Sequence, residues 1–193
     1  MLSTEEWTVI ILAAVVVLVA VIAVFAKRAA RQRHAELRQR FGPEYERALQ
    51  EHGSVSRAER ELSAREKRVH GQRLRSLPEP ERTRFSADWL NIQARFVDDP
   101  AGAVQEADEL IKSVMLARGY AAKEFEQRVA DLSVDHAEVV QHYRAAHILA
   151  EANREGRANT EELRQAVVHY RALFSMLLEP TELHNEQLRE AHA

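Results

Sequence analysis

Histidine is the side chain with the widest chemical range in this sequence, and four of its nine copies gather in one stretch. His136, His142 and His147 fall on one predicted helix, and His169 falls on the next. A neutral imidazole can ligate a metal or relay a proton near neutral pH. Two ligands on one helix must stand three or four residues apart to share a face, whereas these three are six and five apart. Neither a His-Glu-x-x-His string nor a paired Glu-x-x-His motif occurs. They are therefore read as surface or helix-end histidines. One pattern does recur: His-Tyr-Arg-Ala stands at residues 142–145 and again at 169–172. On antiparallel neighbouring helices this predicts Tyr143 and Tyr170 in the core. His142, Arg144, His169 and Arg171 would then form a polar patch at its rim, with a packing role rather than a catalytic one.

The remaining chemistry is sparse. With no cysteine there is no disulfide, thiolate metal site or cysteine nucleophile. The carboxylate pairs Asp98-Asp99, Asp108-Glu109 and Glu161-Glu162 are assigned to helix caps (Asp99, Glu162) or to polar helix faces. No Ser/His/Asp arrangement, Gly-rich phosphate loop or calcium loop is present. The expectation is a protein without catalytic residues, cofactor-binding residues, metal ligands or a bound cofactor, and not an enzyme. The alternative, an enzyme, would require a deep polar cleft lined by His142, His169 and nearby carboxylates.

The elements that would position these residues are helices. Charged residues make up 30% of the chain, with six Gly and five Pro, the composition of amphipathic helices. Phe85, Trp89, Ile92 and Phe96 step by 4, 3 and 4, one face of a helix. Asp99 caps the next helix with Pro100 in its first turn; Val104, Ala107, Ile111 and Val114 form its stripe, and Gly119 stops it. A short helix follows around Phe125, Val129 and Leu132. Asp135 and Glu138 are expected to cap the helix carrying Val139, Tyr143, Ala146 and Ala150, which ends near Gly156. Asn159 and Glu162 cap the last one, with Leu163, Val167, Tyr170, Phe174 and Leu177. Without sustained period-two alternation no sheet is expected. The fold class is all-α: four main helices and one short one in a compact bundle over residues 77–180, with a polar tail at 181–193.

Ahead of the bundle, charge is segregated. Residues 27–75 carry fourteen Lys and Arg against seven Glu, while residues 76–193 carry thirteen against twenty-one acids. Residues 27–76 are read as a basic helical neck, broken at Gly42-Pro43 and Gly53, with Ser56 and Glu59 as a capping box. Val55, Leu62 and Val69 leave a faint heptad trace, so the neck is a solvated charged helix with self-association as the alternative.

Residues 7–26 hold twenty residues without a charge, about the 30 Å of a bilayer core, and are expected to form a single transmembrane helix. Residues 1–6 become a short outer tail, with Ser3 and Glu6 as a capping box. Lys27, Arg28, Arg31 and Arg33 follow the span, and basic flanks stay cytoplasmic. This orients the N-terminus outside and the C-terminal domain in the cytoplasm, with those four side chains also able to meet lipid headgroups. A cleaved signal, with Val24-Phe25-Ala26 as its site, would instead make the chain secreted or periplasmic. The acidic flank of Glu5 and Glu6 and the long apolar run favour an anchor. Interleaved glutamates and missing aromatic platforms argue against nucleic acid.

At residues 95–120 (RFVDDPAGAVQEADELIKSVMLARGY), residues 130–136 (ADLSVDH) and the two Tyr-Arg-Ala strings, the chain resembles a family of bacterial proteins. Its members have an N-terminal hydrophobic segment and a helical soluble domain, with no assigned function. The resemblance covers residues 37–178 and implies a bacterial source. The functional expectation is a membrane-tethered helical interaction or scaffold module. Its partners would be the lipid bilayer and an unidentified protein, with self-association through the neck.

Overall fold

The computed structural model describes the backbone of residues 4–121 and 124–179, and the side chains of residues 17–25, 27–29, 31–121 and 124–179. The expected outer tail's first residues and the polar tail at 181–193 lie outside the described residues. Among the described residues all regular structure is helical: α1 (Thr4–Phe41), α2 (Pro43–His52), α3 (Val55–His70), α4 (Glu79–Arg95), α5 (Pro100–Ala117), α6 (Phe125–Leu132), α7 (Ala137–Arg154) and α8 (Thr160–Leu178). Two compact units divide the chain, Met1–Glu59 and Arg60–Ala193.

In the first unit α1 packs on α2. Gly42 takes φ +48° between them, and Pro43, with no amide hydrogen to satisfy, opens α2. Gly53 closes α2 in the left-handed region, its N–H donating to the Leu49 carbonyl. Leu37, Phe41, Tyr45, Ala48 and Ala58 are buried. A uniformly solvated neck was expected here, and the difference has a simple cause. No one helix carries a full apolar stripe, but one or two buried residues from each of several helices suffice for a small core. Ser56 lies inside α3, which begins at Val55, so it does not cap that helix as expected.

Among the described residues no helix is long and apolar enough to cross a membrane. The span expected at residues 7–26 falls largely on side chains outside the described set, namely those of residues 7–16 and 26. What is described of it, residues 17–25, is exposed at every position, with Val17 at 61% and Phe25 at 67%.

The second unit holds the bundle. α8 packs on both α7 and α5, α4 packs on α5, and the short α6 leans on α7. One core runs through α4 to α8, and the striped residues lie where their spacing put them. Phe85, Trp89 and Ile92 are buried on α4, and Val104, Ala107, Ile111 and Val114 are fully buried on α5. Val129 and Leu132 follow on α6, Tyr143, Ala146 and Ala150 on α7, and Leu163, Tyr170, Phe174 and Leu177 on α8. Phe96, Phe125, Val139 and Val167 pack partly buried against this core. Trp89 stacks on Phe174 with centroids 4.9 Å apart.

Local signals set the helix ends. Pro78 precedes α4, in whose first turn Pro80 sits, and residues 71–78 carry no helix. The Asp99 carboxylate accepts from the Gly102 N–H at 2.9 Å. Asn159 and Glu162 form a reciprocal capping box. Asp135 does not cap α7; His136 occupies that position and makes no side-chain cap bond. Gly119 follows α5 at φ +100°, and a Cβ there would lie 2.6 Å from the Arg73 carbonyl oxygen. Both the backbone angle and the close approach require glycine.

Candidate functional site

Burying Tyr143 and Tyr170 at the α7–α8 seam commits two hydroxyls to the interior, where each needs a partner. The Tyr170 hydroxyl donates to Asp108 on α5 at 2.9 Å. The Tyr143 hydroxyl accepts from Arg128 Nε on α6 at 2.8 Å. Lys112, one turn beyond Asp108, places its ammonium 2.8 Å from the same carboxylate. Burial, then the Asp108 charge, pushes the Tyr170 hydroxyl far above its ordinary range. Burial also raises Tyr143, partly offset by Arg128. Burial works against the Lys112 charge, yet its bonds to Asp108 and Glu109 outweigh that and raise its pKa. The cluster is therefore two neutral phenols held by fixed charges. Its bonds join α5 to α8 and α6 to α7, which fixes the register of these helices.

Asp108 was assigned to a polar helix face, and this is corrected: it is 4% exposed. Its position was readable, because residues 104, 108, 111 and 115 form as good an inward stripe on α5 as the one read from Val104, Ala107, Ile111 and Val114. Arg128 and Lys112 carried no such signal, since their long stems reach the seam from partly polar faces.

The four residues of the expected rim patch do not share one environment. His142 and His169 meet across α7 and α8 with Nδ1 atoms 2.9 Å apart, ring centroids 5.2 Å apart and planes at 42°. Desolvation, then the neighbouring His142, holds His169 below the ordinary histidine range. Arg144 turns instead to Glu126 on α6, with Nη1 2.9 Å from the carboxylate. Arg171 is exposed. The structure thus brings together the two histidines and separates the two arginines.

The other histidines of the stretch sit elsewhere. His136 is buried at the start of α7. His147 stacks on Phe125 at 3.6 Å, and its buried Nδ1 has no hydrogen-bond partner among the described residues. Burial lowers its pKa against the opposing pull of Glu151.

A second polar tie centres one turn further along α6. Asp131 on α6, 1% exposed, accepts from Arg68 Nε at 2.9 Å and from the side-chain amides of Gln72 and Gln127 at 2.8 Å each. Arg118 donates from Nη1 to the Leu177 carbonyl at 2.8 Å, placing a cation at the negative end of α8.

Two open grooves mark the bundle surface. One, of about 550 Å³, lies between α4 and α5 and is lined by Asp88, Asn91, Ile92, Gln105, Glu109 and Leu110, among others. The other, of about 480 Å³, is lined by α4 residues including Arg82, Ser86 and Leu90, together with Leu178. Among the described residues no group of three or more His, Asp or Glu is placed to hold a metal ion. Lys27, Arg28, Arg31 and Arg33 are exposed on α1 directly after the apolar residues 17–25. No family model, curated protein or solved structure matches the chain.

Proposed function

We propose that the chain is a membrane-tethered helical module, with α1 as its single-pass anchor and the α4–α8 bundle as a protein-binding body in the cytoplasm. The observation that carries this reading is the run at residues 17–25. Val17, Leu18, Val19, Val21, Ile22, Val24 and Phe25 are all 44% to 67% exposed on one helix, so among the described residues nothing covers this apolar run. Apolar surface exposed around a whole helix is costly in water and stable in lipid, where the helix satisfies its own backbone. The exposed cations that follow, Lys27, Arg28, Arg31 and Arg33, supply the cytoplasmic flank and a contact for anionic headgroups.

The bundle's polar groups favour binding over catalysis. Asp108, Arg118, Arg128 and Asp131 are engaged in bonds that tie helices together, while the grooves between α4 and α5 and along α4 are open. The likeness of residues 37–178 to bacterial proteins with a hydrophobic N-terminal segment belongs to the same proposal. An unidentified protein partner on the bundle, and self-association through residues 27–76, complete it.

The test is fractionation of cells expressing the full chain with a C-terminal tag, followed by protease treatment of intact spheroplasts. The reading expects the tag in the carbonate-resistant membrane fraction, protected until the membrane is opened. A tag in the soluble fraction, or one cleaved in intact spheroplasts, overturns it.

A further inference from the structure

We propose that His142 and His169 together form a divalent metal-binding site, with two imidazole Nδ1 ligands from adjacent helices and water completing the shell, suited to copper(II) or nickel(II). On a single helix the histidine spacing cannot present two ligands; the α7–α8 seam supplies the second from its neighbour. The Nδ1 atoms lie 2.9 Å apart. With metal–nitrogen bonds of about 2.0–2.1 Å, that separation subtends an angle of about 90° at the ion. This is the cis angle of square-planar and octahedral sites, which copper(II) and nickel(II) prefer. A tetrahedral zinc ion would need the two nitrogens about 3.3 Å apart.

The separation is held by the backbone. Each histidine precedes a fully buried tyrosine, Tyr143 or Tyr170, whose hydroxyl is tied into the core. Neither helix can slide or rotate at this level without breaking those bonds. Among the described residues neither ring has another hydrogen-bond or ion-pair partner. Metal binding gives up one bond, the N–H···N bond between the two Nδ1 atoms, whose proton leaves Nδ1 as that ring takes the Nε2-protonated tautomer. Both rings are half-buried, which leaves room for water on the outer side. In the metal-bound form each ring carries its proton on Nε2 and donates the Nδ1 lone pair.

The full chain in detergent micelles, stripped with chelator, is titrated with copper(II) and followed by electron paramagnetic resonance. Nickel(II) binding is followed by calorimetry. The expected result is one ion per chain, a signal split by two imidazole nitrogens, and a melting temperature that rises with nickel concentration. His142→Gln and His169→Gln each weaken binding at least about 10-fold, the loss that even second-shell changes produce. His136→Gln and His147→Gln leave it unchanged. The nitrogen count on the unsubstituted protein is read whether or not a variant folds. Splitting by one nitrogen or none, or affinity retained in both His142→Gln and His169→Gln, overturns the proposal.

Discussion

Residues 17–25 of α1 and the stripes of α4–α8 are built from the same kinds of side chain and meet opposite fates. At residues 17–25 the apolar side chains occupy every face and all are exposed; on the bundle helices they recur every three or four residues and are buried. Hydrophobicity alone does not make a core. Periodicity does, because a helix can bury only the face it turns toward its neighbours. A segment that is apolar all round has more surface to cover than one neighbouring helix can supply.

The contrast is tested most directly by matching truncations. Trp89→Ala removes the ring stacked on Phe174 and should destabilise the bundle by about 3–5 kcal/mol. Phe25→Ala, on the exposed run, should leave bundle unfolding within about 0.5 kcal/mol of the parent. Urea unfolding of the full chain in micelles, followed by circular dichroism, measures both. Equal losses would erase the distinction.

Polar residues inside the bundle come next. Asp108→Ala strands the Tyr170 hydroxyl in the interior and should cost about 1–3 kcal/mol, seen as a lower urea midpoint. The same change at Asp88, exposed on α4, should have almost no effect. A smaller loss, about 1 kcal/mol, is expected for Asn159→Ala, which removes the capping box of α8. Amide exchange should then accelerate in the first turn of α8 and stay unchanged in α4.

The smallest expected effect is on pH dependence. Burial depresses the pKa of His147 in the folded bundle, so the unfolded chain binds that proton more readily. Stability is therefore complete above the unfolded value of about 6.5 and declines as pH falls through the window beneath it. His147→Gln should flatten the slope of the urea midpoint between pH 7.5 and 5.5. The α1 run, having no ionisable side chain between Val17 and Phe25, contributes nothing to that slope.

How far the fold was legible follows the same division. Apolar spacing located the bundle helices because each stripe is a local property of one segment. Caps were legible where the side chain bonds within its own turn, as at Asp99 and Asn159. Ser56 and Asp135 satisfied the same pattern without capping, because the helix began two residues early in one case and one late in the other. The buried residues of the first unit escaped notice, since Leu37 and Phe41 on α1, Tyr45 and Ala48 on α2 and Ala58 on α3 give at most two buried apolar positions per helix within that unit. Asp108 was misplaced because a carboxylate is assumed to face water, and its partner Tyr170 stands 62 residues away. The repeated His-Tyr-Arg-Ala string located the α7–α8 seam, but only the register of the two helices could bring His142 to His169 and send Arg144 to Glu126.

The polar ties of the second unit share a property that bears on how the chain is made. Tyr170 to Asp108, Arg118 to Leu177 and Arg68 to Asp131 join residues 62, 59 and 63 positions apart. At a synthesis rate of about 5–20 residues per second, each early partner waits roughly 3–12 seconds for its mate to emerge from the ribosome. Through that interval Asp108 lacks its Tyr170 partner, and α5 has α4 and then α7 to pack against but not α8. The bundle therefore locks late, when α8 arrives, and until then the nascent chain leaves the apolar faces of α5 and α7 open to whatever holds it.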